Sequence, residues 1–222
     1  MKNLFLLGLG ICLFLFSCQD DDNSQGGIIV PVSDPMENDI TFFPLSEGNY
    51  WIYENIRIDT NGVETKLEQL DSIYVAGDTI INNITYAVLR GKKFLFDTKD
   101  GFTNIIRESS GDIIDVEDNT IFSNTNFTDI INVETFSFDS NEFAKIEYSM
   151  EEIAEDITVP AGTFDEVLNY RGKLIALSET KADSIRYIDN YYSKGIGKIF
   201  ETNYFFSSNN IFEKRLIRFA LQ

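Results

Sequence analysis

The chain has 222 residues, with 18 Lys and Arg against 36 Asp and Glu, two Cys and no His. Without His there is no imidazole-based zinc or haem site and no triad or dyad with a His base. A net charge of −18 opposes binding to nucleic acid and docking on an anionic membrane through basic residues, while 43% hydrophobic residues suffice for one folded core.

The chain opens with Lys2 and an almost unbroken apolar run from Leu4 to Phe16. That run is too short for a helix spanning a bilayer and has the length of the apolar region of a secretory signal. It ends in Leu15-Phe16-Ser17-Cys18. Leu15 is apolar, Ser17 is small, and Cys18 carries a thiol, a nucleophile able to take up a group through sulfur. The tetrapeptide resembles the lipobox of bacterial lipoproteins. The resemblance implies cleavage after Ser17 and a membrane anchor of acyl chains on Cys18. Two or more acyl chains hold firmly where one is marginal. An ordinary secretory signal and a short anchor are the alternatives. Cys12 lies inside the apolar run and would be discarded with residues 1–17, so cysteine arithmetic predicts no disulfide.

Asp20, Asp21 and Asp22 follow Cys18 almost directly. This acidic run resembles the export signal of surface lipoproteins in Bacteroidota and implies an outer-membrane protein facing the cell exterior. The alternative is a solvated acidic tail. Residues 18–39 carry acids, a Gly pair, Pro31 and Pro35, and show no period of 2 or 3.6. They predict a lipidated flexible tether, of which about 20 residues reach roughly 25 Å. Ile28-Ile29-Val30 would be the part able to pack on a domain.

Residues 40–222 predict a single β-rich domain. Ile, Thr, Tyr and Phe dominate, and turn residues recur at Asn61-Gly62, Gly77-Asp78, Asn82-Asn83, Asp100-Gly101, Gly111-Asp112, Pro160-Ala161-Gly162, Gly195 to Gly197 and Asn209-Asn210. Asn61-Gly62 reads as a hairpin turn of type I′. In 167–175, Leu168, Tyr170 and Leu174 fall on one face, with Asn169, Arg171 and Lys173 on the other. In the last segment Ile217, Phe219 and Leu221 share a face, opposite Lys214 and Arg218. The spacing leaves no room for parallel crossovers, so the class is all-β, possible short helix apart. It should be an antiparallel meander of roughly ten strands curled into a barrel or half-barrel, with a sandwich as the alternative. The helix would lie at 140–155, where Phe143, Ile146, Met150 and Ile153 have helical spacing and Ser140 could cap them. A strand from Ile153 to Val159 competes with it.

Three short pieces stand in order along the chain: Phe43-Pro44-Leu45-Ser46-Glu47-Gly48-Asn49-Tyr50-Trp51, Val159-Pro160-Ala161-Gly162-Thr163-Phe164 and Tyr191-Tyr192-Ser193-Lys194-Gly195-Ile196-Gly197. Together they resemble a loose set of uncharacterised β-rich bacterial lipoproteins. The resemblance implies a curled antiparallel sheet and almost nothing about activity. On physical grounds Pro160 and Gly162 suit a turn, and Gly195 and Gly197 would relieve crowding at a bulge or close strand crossing. Trp51, Tyr191 and Tyr192 read first as core anchors and second as residues lining a ligand cleft.

Asp71-Ser72-Ile73, Asp78-Thr79-Ile80 and Asp183-Ser184-Ile185 resemble acceptors for O-glycosylation in exported Bacteroidota proteins, which would place glycans on Ser72, Thr79 and Ser184. Glu151-Glu152 invites a glycosidase reading, but with so many acids some pair always looks suitable. Asp97 to Gly101 puts Lys99 where a calcium loop needs an oxygen ligand, so it reads as a hairpin turn. The sequence predicts no metal or cofactor and no catalytic residues. Its expected function is a non-enzymatic binding or assembly lipoprotein of the outer membrane, attached through Cys18, with ligand and protein partner unspecified. A carrier or sensor of lipid-like molecules in a sheet cleft is the alternative, and a glycan hydrolase with two carboxylates the remote one.

Overall fold

A computed structural model of the protein describes residues 41–93, 101–177, 185–205 and 208–222. Ser17, Cys18, Asp20 to Asp22, the tether, Ser184 and most of the Asp97 to Gly101 turn lie outside these residues. Among the described residues there are fifteen strands and no helix.

The chain enters through a strap, residues 41–49, and climbs β1 (Tyr50–Ile58), the long β2 (Glu64–Ile81) and β3 (Ile84–Lys92). Next come β4 (Phe102–Ser109), β5 (Asp112–Asp115), β6 (Thr120–Ser123), β7 (Asn132–Phe138) and β8 (Asn141–Ile153). A small hairpin, β9 (Ile157–Val159) and β10 (Gly162–Phe164), leads to β11 (Val167–Ala176), β12 (Arg186–Ile188), β13 (Asn190–Ser193), β14 (Gly197–Tyr204) and β15 (Ile211–Ala220). The main sheet runs β6-β5-β4-β3-β2-β1-β15-β14-β13-β11-β8-β7, with β12 also paired to β11. Every pairing is antiparallel.

The two ends of this path face each other across one interior. Ile106, Ile113 and Phe122 of β4 to β6 share a core with Ala144, Ile146, Tyr148 and Met150 of β8. The sheet is therefore curled into a barrel whose seam, between β6 and β7, is not hydrogen-bonded. Its right-handed twist makes such curling the natural outcome for a sheet this wide.

Turn chemistry sets the hairpins. Asn82-Asn83 (φ 51° and 65°), Ser110-Gly111 (54° and 88°) and Asp139-Ser140 (48° and 64°) each place two consecutive residues in the left-handed region, as a type I′ turn requires. Each closes a two-residue loop between strands paired right up to the turn. Asn61-Gly62 does end the β1–β2 hairpin, but only Gly62 has positive φ. The Gly62 amide bonds the Asp59 carbonyl at 3.0 Å, and Asp59 Oδ1 accepts from the Asn61 and Val63 amides. The result is a three-residue loop with a glycine bulge rather than type I′. Gly77 (φ 125°) marks no turn; it sits within β2 where the register to β3 shifts between Val75 and Asp78. The turn expected at Gly111-Asp112 lies one residue earlier.

The helix expected at 140–155 is a strand. Ala144, Ile146, Tyr148 and Met150 are buried in strict alternation, a period-2 signal that outweighs the helical spacing of Phe143 with Ile146. Ser140 serves the type I′ turn instead of a cap. The alternative strand from Ile153 to Val159 is interrupted, since β8 ends at Ile153 and β9 begins at Ile157.

On β11 the expected face holds: Leu168, Tyr170 and Leu174 point into the core. On β15 it does not. Tyr53 pairs with Leu216 and Ile52 with Arg218, so Ile217 is an extra residue in a bulge. The bulge resets the alternation. Lys214 and Leu216 face inward before it, and Phe219 and Leu221 pack on the core after it.

Candidate functional site: an interior cleft beside a paired polar belt

The β14–β15 ladder runs from Tyr204↔Ile211 to Phe200↔Arg215 and stops there. Beyond that point the two strands part. The β9–β10 hairpin fills the gap from the side, its Ala161 amide bonding the Leu216 carbonyl at 3.0 Å. From within, β1 supplies donors to the backbone at the start of β14. Trp51 Nε1 donates to the Ile196 carbonyl at 2.6 Å, and Tyr53 Oη donates to the Lys198 carbonyl at 2.9 Å. Gly197 makes this possible: a Cβ there would lie 3.2 Å from the Trp51 indole nitrogen, and its φ is 100°.

The strap and the C-terminal strand meet at this region. Phe43 stacks on Tyr192 with centroids 4.7 Å apart and meets Phe122 edge-on at 5.0 Å. Asn49 is buried; its Nδ2 donates to the Pro44 carbonyl at 2.8 Å, and its Oδ1 accepts from the Gln222 amide at 2.7 Å. The Gly48-Asn49-Tyr50-Trp51 piece thus joins the strap, the C-terminal strand and the interior.

A continuous polar belt crosses the interior in sheet order. Asn55 of β1 donates through Nδ2 to Asp71 Oδ1 of β2 at 2.8 Å. The Asp71 Oδ2 atom is 2.9 Å from Lys214 Nζ of β15, and Lys214 is 3.3 Å from Glu201 Oε1 of β14. Glu201 Oε2 receives Lys198 Nζ at 2.6 Å. Lys198 also donates to Asn190 Oδ1 of β13 at 2.9 Å, and Asn190 Nδ2 donates to the Tyr170 carbonyl of β11 at 3.0 Å. Cross-strand register explains the line: Asn55 opposes Lys214, Lys214 opposes Glu201, and Glu201 opposes Asn190. Asp71 and Lys214 are only 1% and 4% exposed at the side chain.

Burial alone would raise Glu201, yet the ammoniums of Lys198 and Lys214 override it and hold the carboxyl well below its ordinary range. Burial alone would lower Lys198, yet Glu201 and Tyr192 override it and raise the ammonium. Burial raises the Tyr53 and Tyr192 phenols.

Next to the belt lies a cleft of about 130 Å³ whose wall includes Phe43, Trp51, Leu89, Phe102 and Tyr192. Lys93, the residue after β3, and Lys198 also line it. Lys93 Nζ sits 4.4 Å from the centroid of the Phe102 ring. Burial and the nearby Lys198 hold the Lys93 ammonium below the ordinary lysine range. Gly91 shapes this wall: a Cβ there would fall on the Ser72 carbonyl and lie 2.9 Å from the Phe102 ring.

Of the residues singled out from sequence, Trp51 and Tyr192 come together on the cleft. Tyr191 does not; it stacks on Phe200 with centroids 5.2 Å apart, away from it. Ser72 is half-buried between β1 and β3, and Thr79 is half-buried opposite Tyr86. Glu151 accepts an ion pair from Arg171 at 3.0 Å. Lys93, Lys198, Glu201 and Lys214 were not singled out. The alternation of Ala87, Leu89 and Gly91 does carry Lys93 to the inner face, and that was the available signal. Among the described residues no group of three His, Cys, Asp or Glu is placed to hold a metal ion.

No protein-family model matches the chain, and no curated protein matches it significantly. Solved structures similar to it include a Bacteroides fragilis protein inferred to be exported, with a YmcC-like fold. It is 15% identical, covers 82% of this chain and 99% of its own, and has a TM-score of 0.49. A Parabacteroides distasonis protein inferred to be a lipoprotein is also 15% identical, covering 83% of this chain and 100% of its own, with a TM-score of 0.44. Likeness at this level assigns the chain to no family.

Proposed function

We propose that this protein is a lipid-anchored lipoprotein of the outer membrane, held through Cys18 and facing the cell exterior, whose β domain has a non-enzymatic binding or assembly role. One observation carries the reading of the domain: the two carboxylates of the interior belt, Asp71 and Glu201, are committed to lysines. Asp71 and Glu201 both engage Lys214, and Glu201 also engages Lys198. A glycosidase acid needs a raised pKa, and Glu201 is shifted the other way. The cleft beside the belt, about 130 Å³, is below the roughly 300–1,000 Å³ of ordinary ligand pockets. That cleft is too small for a long acyl chain, so it suits a small ligand better than a carried lipid.

The anchor rests on Leu15-Phe16-Ser17-Cys18, and the outward orientation on Asp20 to Asp22. Two measurements test them. Intact mass spectrometry of the protein from a lipoprotein-processing host should show a chain starting at Cys18 with acyl mass added, and Cys18→Ala should leave it unprocessed. Protease shaving of intact cells should release peptides from residues 40–222. An unmodified Cys18 would overturn the anchor, and release only after lysis would overturn the outward orientation.

A further inference from the structure

We propose that the interior cleft is a binding site for a small amphipathic carboxylate, with the apolar tail among Trp51, Leu89, Phe102 and Tyr192 and the carboxylate on the Lys93 ammonium. The proposal rests on reading the domain as a binding module and is independent of the anchor.

Size sets the tail. A cavity of about 150 Å³ lined by apolar side chains admits benzene. The 130 Å³ here accordingly suits an apolar group of about six carbons or fewer. Charge sets the head. Around the belt and cleft, the described ammoniums are Lys93, Lys198 and Lys214, and the carboxylates are Asp71 and Glu201. Lys198 and Lys214 share those two carboxylates. Lys93 has the Phe102 ring as its neighbour and no described carboxylate within ion-pair distance. One monoanion balances the set. A phosphate, with about two charges and three acceptor oxygens, would need more donors than one ammonium and the Asn104 amide on the same wall provide.

Shape supports the same assignment. Gly91 leaves room for the Phe102 ring beside β3, so the ring forms a wall next to the ammonium. An aromatic face beside a lysine with an apolar recess behind it is complementary to a molecule with one charged end and one oily end.

The test is calorimetric titration of the full-length protein with butanoate, hexanoate, decanoate and 1-hexanol. Hexanoate should bind about tenfold or more tightly than 1-hexanol, the margin of one charge-assisted contact. Decanoate should bind no better than hexanoate. Lys93→Met should bring hexanoate down to the affinity of 1-hexanol and leave 1-hexanol unchanged, and Lys93→Arg should keep the preference for the acid. Equal binding of hexanoate and 1-hexanol, or full hexanoate affinity in Lys93→Met, would overturn the carboxylate assignment while leaving a binding cleft in place. Failure of both hexanoate and 1-hexanol to bind the wild-type protein would overturn the site altogether, leaving the domain's surface as its means of binding.

Discussion

Two lysine environments lie side by side inside this barrel. Lys214, in the belt, is almost wholly buried and touches two carboxylates. Lys93, at the cleft, is half-buried and faces an aromatic ring. Both sit on strands or strand ends of the same sheet, and both face inward. The difference is what the opposite strand offers. Register places Glu201 and Asn55 directly across from Lys214, so the ammonium is neutralised within the fold. Lys93 lies past the end of β3, where the described β3–β4 ladder has stopped at Gly91↔Phe102 and no described carboxylate lies across from it. A buried ion with its partners built in is part of the architecture. An inward ion without them is a cost to stability that a ligand can relieve.

The largest expected effect comes from breaking the belt. Lys214→Met leaves Asp71 and Glu201 short of their shared cation in the interior, and such a loss costs about 3–5 kcal/mol. Urea unfolding should show the midpoint falling steeply. Adding Asp71→Leu to that variant should recover part of the loss, because Glu201 keeps Lys198. No recovery would mean the belt acts through something other than its charges.

Gly91→Ala comes next. Its Cβ would meet the Ser72 backbone and the Phe102 ring, an overpacking that costs about 1–3 kcal/mol. It should also distort the cleft wall, so hexanoate binding should weaken.

Much of this architecture was legible in the sequence. The absence of βα alternation, the aromatic and β-branched segments and the turn pairs gave an all-β antiparallel meander curled on itself, and Leu168, Tyr170 and Leu174 gave the inner face of β11. The belt was hidden because it depends on register, which a bulge changes. Alternation back from Phe219 puts Lys214 on the solvent side, and only the extra residue at Ile217 turns it inward. The strand at 140–155 was obscured by apolar residues that satisfy two periods at once; Ile146 and Met150 belong to both patterns. Trp51 and Tyr192 were picked as aromatic residues, but their meeting beside Lys93 joins segments far apart in the chain. No local pattern encodes that meeting.

The belt also sets an acid limit. Glu201 has a folded pKa depressed below its unfolded value, so its contribution is present above the unfolded carboxylate pKa of about 4.3 and is lost as pH falls through the lower folded value. Urea midpoints measured against pH should fall below about pH 4.3, and Glu201→Gln should flatten part of that fall. Lys93 has the opposite sense. Its folded pKa is lowered, so charging it disfavours the fold below that value, and the penalty fades as pH rises toward the unfolded lysine pKa of about 10.4.

The smallest effect is the one that separates the two lysines by sign, and it tests the central claim most directly. The measurement is the urea unfolding midpoint of Lys93→Met at neutral pH, beside wild type and without ligand. A midpoint equal to or above wild type is predicted, since the substitution removes an inward charge with no described acid within ion-pair distance. A midpoint well below wild type, in the direction of Lys214→Met, would show that Lys93 is part of the architecture and that the cleft holds no vacancy for an anion.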